Sequence, residues 1–367
     1  MALLREGQEI GNSYVVERFL GEGAFAEVYR VRHRYLGRQA MKVFKTIGLS
    51  QGEIEQMLQE AVILSQIGHP NIIRVFNADA SQTDRGLTGF FTMEYVAGGS
   101  LENFWRSFGG KFMPVETAVE VTCQASRGIA VAHSEKPPII HRDIKPQNIL
   151  VGYDATGLRV RVSDFGLSKR ANPLTLLVSA KGTRIYKSPE TFRDYKGDSC
   201  RGDVWALGCT LYLMLTDRHP YIEPGEDIVF EEMNFDRPFI LPSQFNIMVD
   251  PVLDKIVSRC LALKPEDRYP SARELLADLE KWQPRQEPKT GPSKVMPVGS
   301  SKSALGYGTS LNQKKAQEMI DKAYKLARQA GKLSEAADIM EEAFNKWPEL
   351  RDEYENQVKL WRNGIIS

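Results

Sequence analysis

Cysteine is scarce and scattered. The four thiols, Cys123, Cys200, Cys209 and Cys260, form no C-x-x-C pair, which excludes an ordinary zinc ribbon or disulfide framework and suits a reducing, cytoplasmic setting. An excess of either charge is also missing. Lys plus Arg number 48 against 47 for Asp plus Glu, so no chain-wide nucleic-acid or membrane footprint is expected. Nor is there an apolar run of about eighteen residues, the length a membrane-spanning helix needs. The opening stretch carries Arg5, Glu6 and Glu9 and does not read as an ordinary signal peptide.

What is present is enough for a large core. With 367 residues and 42% apolar content, one large domain plus an accessory segment is the expected organisation. Two β-rich runs, Tyr14 to Leu20 and Val28 to Val31, flank Gly21 and Gly23, whose bare backbone can approach a polyphosphate. Lys42 sits between apolar neighbours in a strand pattern from Gln39 to Phe44. An amine there can hold phosphates if a carboxylate braces it, and the helical pattern from Glu53 to Ile67 offers Glu53, Glu55 and Glu60. A second helix is predicted over Val115 to Ser134, stopped by Pro137 and Pro138.

The most informative stretch is His141-Arg142-Asp143-Ile144-Lys145-Pro146-Gln147-Asn148, followed by Asp164-Phe165-Gly166. In phosphoryl transfer, a carboxylate at the Asp143 position can accept a hydroxyl proton, while an amide and a second carboxylate suit magnesium. These residues resemble, position for position, the catalytic loop and metal-binding motif of eukaryotic-type (Hanks-type) serine/threonine protein kinases. The resemblance runs from about Tyr14 to Trp282. It departs at Ala26, where the third loop glycine is usual, and at Ser188, where alanine is commoner.

That resemblance implies a two-lobed α+β fold, with a small antiparallel sheet and one main helix above a larger, mostly helical lobe. It implies ATP with Mg²⁺ or Mn²⁺ as cofactors and a protein substrate with a Ser or Thr acceptor. Asp143, Lys145, Lys42 and Glu60 take the catalytic positions, Glu60 being selected by its spacing to His69-Pro70-Asn71. Asn148 and Asp164 take the metal positions. Gly21, Gly23, Val28, Ala40, Lys42, Met93, Glu94, Val96 and Leu150 take the nucleotide positions, with Met93 as gatekeeper and the backbone of Glu94 and Val96 facing adenine. Ser179, with Thr175 as competitor, and Thr183 fall in the activation loop, where a phosphate on Ser179 could pair with Arg142. Asp203 is expected to brace the catalytic-loop backbone, and Arg268 to pair with Glu190. A scaffold that binds ATP without turnover and acts through the tail is the alternative.

Domain boundaries follow: an extension over 1–13, a kinase domain over 14–283 with lobes 14–95 and 96–283, a Pro-, Gly- and Ser-rich flexible linker over 284–310, and a helical tail over 311–367. In the tail, Gly331, Ala336, Ala343 and Pro348 resemble one tetratricopeptide-type repeat, although Tyr324 stands where a small residue is usual. So short a segment buries little core. It is expected to dock on the kinase lobe, dimerise, or bind a partner through exposed Trp347, Phe344 or Trp361.

Overall fold

The computed structural model describes residues 2–23, 26–45, 51–83, 86–108, 112–165, 184–193, 198–222, 231–284, 308–329 and 331–365. Its amino-terminal part is an antiparallel sheet in the order β1-β2-β3-β4-β6-β5. The strands are β1 (Glu9–Ile10), β2 (Tyr14–Glu22), β3 (Ala26–His33), β4 (Gly37–Phe44), β5 (Val75–Thr83) and β6 (Gly86–Glu94). Between β4 and β5 lie α1 (Gln51–Met57) and α2 (Gln59–Gln66). The single helix expected from Glu53 to Ile67 is thus notched at Leu58. Bonds from Leu58 N–H to Ile54 O and from Val62 N–H to Leu58 O carry the helical path across the notch.

Strand periodicity decides which residues meet the cleft. Side chains alternate faces along a strand, so Met41 and Val43 of β4 join Tyr29 and Val31 in an outer core closed by Leu4 and Ile10. Ala40, Lys42 and Phe44 take the opposite face. The extension before Tyr14 is therefore part of the packing, with β1 paired to β2.

The second lobe is mostly helical: α3 (Leu101–Arg106), α4 (Val115–Ser134), α5 (Pro189–Arg193), α6 (Cys200–Thr216), α7 (Pro251–Cys260) and α8 (Ala272–Leu279), with the hairpin β7 (Ile149–Asp154) and β8 (Gly157–Val162). Apolar residues all round α6, including Val204, Trp205, Leu211 and Leu215, make it the central buried helix. Just past β6, Gly98 lets the chain pass against β7, because a Cβ there would lie 2.3 Å from Val151 O. No helix among the described residues is long and apolar enough to cross a membrane.

The tail forms α9 (Gly308–Ala327), α10 (Leu333–Phe344) and α11 (Leu350–Arg362). Most of the linker expected over 284–310 lies outside the described residues. Phe344 and Trp361, expected to be exposed, are instead 2% exposed in the tail's own core, and Trp347 is half-buried against it. The reason is the third helix. Tyr324 packs edge-on to Trp361 at 5.1 Å and to Tyr354 at 6.3 Å, so its bulk fills space that a two-helix hairpin would leave open.

An acidic stripe on α10 faces arginines of the sheet. Glu342 meets Arg30 at 2.6 Å and Arg18 at 3.2 Å, Asp338 meets Arg38 at 3.5 Å, and Glu335 meets Arg32 at 3.6 Å. On the other lobe, the Arg351 guanidinium lies over Phe104 at 4.3 Å and donates to Ser107 Oγ at 2.9 Å. Tail residues thus touch both lobes.

A further acid on α10, Glu341, is placed to couple the tail's stability to pH. Glu341 is 1% exposed and shares a single guanidinium, Arg362, with Asp338 at distances of 2.6 and 2.8 Å. Burial, only partly offset by Arg362, raises the Glu341 pKa to about 7. A carboxyl raised in the folded state favours folding while protonated, and that contribution is lost as pH rises through the folded value. Melting at pH 8 compared with pH 6 should therefore show a loss of about 1 kcal/mol that Glu341→Gln removes. Equal pH dependence in the variant would contradict this.

Candidate active site

The backbone of the loop from His141 to Asn148 hangs from one carboxylate. Asp203, in the first turn of α6, accepts from His141 N at 2.7 Å and Arg142 N at 2.9 Å. His133 of α4 lies 3.0 Å from the same side chain through Nε2. Because Ala272 N–H donates to His133 Nδ1 at 3.2 Å, the ring is fixed with its proton on Nε2, directed at Asp203. Burial disfavours the Asp203 carboxylate, yet the bonds from His133 and from the His141 backbone N–H hold its pKa below the ordinary range. Arg142, at φ 69°, occupies left-handed backbone that ordinarily costs about 1–3 kcal/mol for a non-glycine residue. The two bonds to Asp203 hold that bend.

His141 supports the same loop from below. It is fully buried, and desolvation lowers its pKa, keeping the ring neutral. Its Nε2 donates to Ser163 O at 2.9 Å and its Nδ1 accepts from Asp143 N at 3.2 Å, while Phe165 packs 4.5 Å from the ring. Asp143 itself is 9% exposed. Its Oδ2 lies 3.0 Å from Lys145 Nζ and accepts from Asn148 Nδ2 at 3.0 Å; Asn148 Nδ2 also donates to Asp143 O at 2.8 Å. The three polar residues of the motif thus converge on one point.

Across the cleft, Lys42 Nζ contacts Asp164 Oδ1 at 2.5 Å. Burial works against the Asp164 carboxylate, but Lys42 prevails and lowers its pKa. Asp164 also adopts left-handed backbone, at φ 59°. Glu60 is carried on α2, but its side chain lies outside the described residues, as do Ser179, Thr175 and Thr183. Arg142 Nε meets Asp198 at 3.0 Å.

Between these groups opens a cavity of about 660 Å³, within the size range of small-molecule sites. Gly21, Gly23, Val28 and Ala40 line its roof; Met93, Glu94 and Val96 line its back; Leu150, Asn148 and Asp164 line its floor. At the back, Glu94 N–H is already spent on Arg74 O at 2.8 Å, leaving its carbonyl as the backbone group for a base. The Glu94 side chain is held by Arg161 at 2.9 Å. Arg18, Gly99, Ser100, Asn103 and Asn345 also line the cavity and were not among the sequence candidates. Ser100 and Asn103 follow the glycine break after β6 and were within reach of that argument. Asn345 lies beyond the linker, where no local signal points to the cleft.

Below the cleft, Arg268 has a fully buried side chain and grips Glu190 through two bonds of 2.8 Å, with the guanidinium over Trp205 at 4.8 Å. Glu190 lies in the first turn of α5, so this pair ties that helix to the loop that carries Arg268.

Two lobes of this make, joined at a hinge with the cleft between them, are the fold of solved protein kinase domains. The Mycobacterium tuberculosis PknI kinase domain matches 77% of this chain and 99% of its own, with a TM-score of 0.55 at 24% identity. The protein kinase domain family model matches residues 14–279, and the chain belongs to that family. Among curated relatives, the serine/threonine-protein kinase PknB of Mycobacterium leprae is 33% identical over 291 residues, covering 76% of this chain and 45% of the relative. A probable serine/threonine-protein kinase of Clostridium perfringens is 31% identical over 283 residues, covering 75% and 39%. The chain thus spans less than half the length of these relatives.

Proposed function

We propose that this chain transfers the γ-phosphoryl of Mg·ATP to serine or threonine hydroxyls of protein substrates. The observation that carries this reading is the pairing of two clusters: Lys42 with Asp164, which lines the cleft, and Asp143 with Lys145 and Asn148 of its floor. In this reading Lys42 holds the α- and β-phosphates, braced by Glu60. Asp143 orients the acceptor hydroxyl and takes its proton, and Lys145 offsets charge on the group in transit. Asn148 donates through its nitrogen to Asp143, which leaves its oxygen, with the Asp164 carboxylate, as donors suited to a hard cation. Bound Mg²⁺ or Mn²⁺ would supply neutralisation of phosphate charge at that point.

Regulation is assigned to the stretch 166–183. A phosphate on Ser179, with Thr183 nearby, would compete with Asp198 for Arg142 and order the segment. The tail, in this reading one tetratricopeptide-like hairpin with an added helix, docks on its own kinase domain through the arginine and carboxylate contacts of α10. Dimerisation or capture of a partner protein are the outcomes that would replace this. The buried thiols Cys123, Cys209 and Cys260 suit the cytoplasm.

Radiolabelled ATP with a generic protein acceptor, followed by phosphoamino-acid analysis, tests the reaction. Label on serine or threonine is expected, reduced by roughly 100-fold in Lys42→Met, the scale of losing one preorganised electrostatic contact. No label from the wild type, with thermal stabilisation by ATP intact, would leave the scaffold reading.

A further inference from the structure

The nucleotide cleft has a wall that does not come from the kinase domain. α10 ends at the hinge because its acids are tied along its length: Glu335 to Arg32, Asp338 to Arg38, Glu342 to Arg30 and to Tyr95, whose hydroxyl donates at 2.6 Å. The helix therefore delivers its carboxy-terminal cap, Asn345, to the outer end of the cleft. There Asn345 Nδ2 lies 3.5 Å from Ala97 O and 3.6 Å from where a Cβ on Gly99 would stand; Asn103 Nδ2 lies 3.7 Å from that same point. Two carboxamides, one from each part of the chain, thus flank a bare turn with Gly99 at φ 78°.

We propose that Asn345 is a nucleotide-binding residue that contacts the sugar hydroxyls of bound ATP. The proposal rests on the ATP reading above and adds the tail to the site. With the base against Met93 to Val96 and the phosphates toward Lys42 and Asp164, the sugar passes the side occupied by Ser100, Asn103 and Asn345. A carboxamide can donate to one hydroxyl and accept from its neighbour, which matches a vicinal diol. The present 3.5 Å contact to Ala97 O is longer than a good hydrogen bond, so releasing it for a sugar costs little. Arg18 adds a mechanical link: it lines the cleft on β2, just before the glycine turn, and is held by Glu342 at 3.2 Å. Tail and roof strand are therefore joined beside the cleft.

The test compares binding of ATP and 2′,3′-dideoxy-ATP by the full chain and by Asn345→Ala, using calorimetry. The wild type should prefer ATP, and the variant should lose about 3- to 10-fold in ATP affinity, the worth of one or two hydrogen bonds, with little change for the dideoxy analogue. An unchanged preference in Asn345→Ala overturns this proposal alone. Failure of the wild type to bind either nucleotide overturns it together with the ATP reading.

Discussion

Asp143→Asn is expected to lower kcat by roughly 10²- to 10⁴-fold, the usual worth of a positioned general base, while ATP affinity stays close to that of the wild type. The carboxamide keeps the shape of the side chain and an oxygen that can still accept from Asn148. What it loses is the charge facing Lys145 at 3.0 Å and the capacity to take a proton. The backbone scaffold should survive, because His141 N and Arg142 N are held by Asp203 and the Asp143 N–H bonds to His141 Nδ1. Steady-state kinetics with a peptide acceptor, alongside ATP titration, separates the two effects. A kcat within about threefold of wild type, far below the loss expected of an absent base, would remove Asp143 from the catalytic role. Equal losses of kcat and ATP binding would point to a collapsed loop.

Arg268→Ala is expected to destabilise the larger lobe by about 3–5 kcal/mol, the cost of stranding one partner of a buried ion pair. The guanidinium does more than meet the Glu190 carboxylate. It donates to Ala262 O at 2.7 Å and Leu263 O at 3.1 Å, so its loss leaves carbonyls as well as an acid without their donor. Burial opposes the Glu190 charge, and the Arg268 bond is what holds its pKa below the ordinary range. Arg268→Lys should recover little, since a single ammonium cannot reproduce the two-pronged bond or the stacking on Trp205. Chemical denaturation of both variants measures this directly. A lysine variant as stable as wild type would show that charge alone suffices.

Much of the site was legible because its groups occur at short, fixed separations. His141 to Asn148 is one continuous loop, and its spacing alone brings Asp143, Lys145 and Asn148 within reach of one another. Strand alternation put Lys42 on one face of its strand, and the resemblance to the kinase family made that face the cleft's. Other features had no such local mark. The left-handed backbone at Arg142 and Asp164 is set by tertiary bonds, not by glycine, so residue identity does not announce it. That Lys42 also meets Asp164, 122 residues further along the chain, has no local mark either.

The tail shows the limit most clearly. Its apolar spacing indicated three helices, with Tyr354, Val358 and Trp361 on one face of the third, but left Phe344 and Trp361 as exposed anchors, because which helix faces bury one another is decided by the packing of all three. Arg30 and Arg32 alternate along β3, and Asp338 and Glu342 recur one helical turn apart on α10. Each pattern by itself is an ordinary solvated face.

From the order of its residues alone, the loop His141 to Asn148 and the strand that presents Lys42 were determined, since each depends on near neighbours, and the resemblance those motifs carry implied the two-lobed class. Where α10 lies, and that Asn345 reaches the nucleotide cleft, only the tertiary structure decided. Charges such as Arg38 and Asp338, 300 residues apart in sequence, find one another through space, and complementarity of that kind leaves no local pattern in the chain.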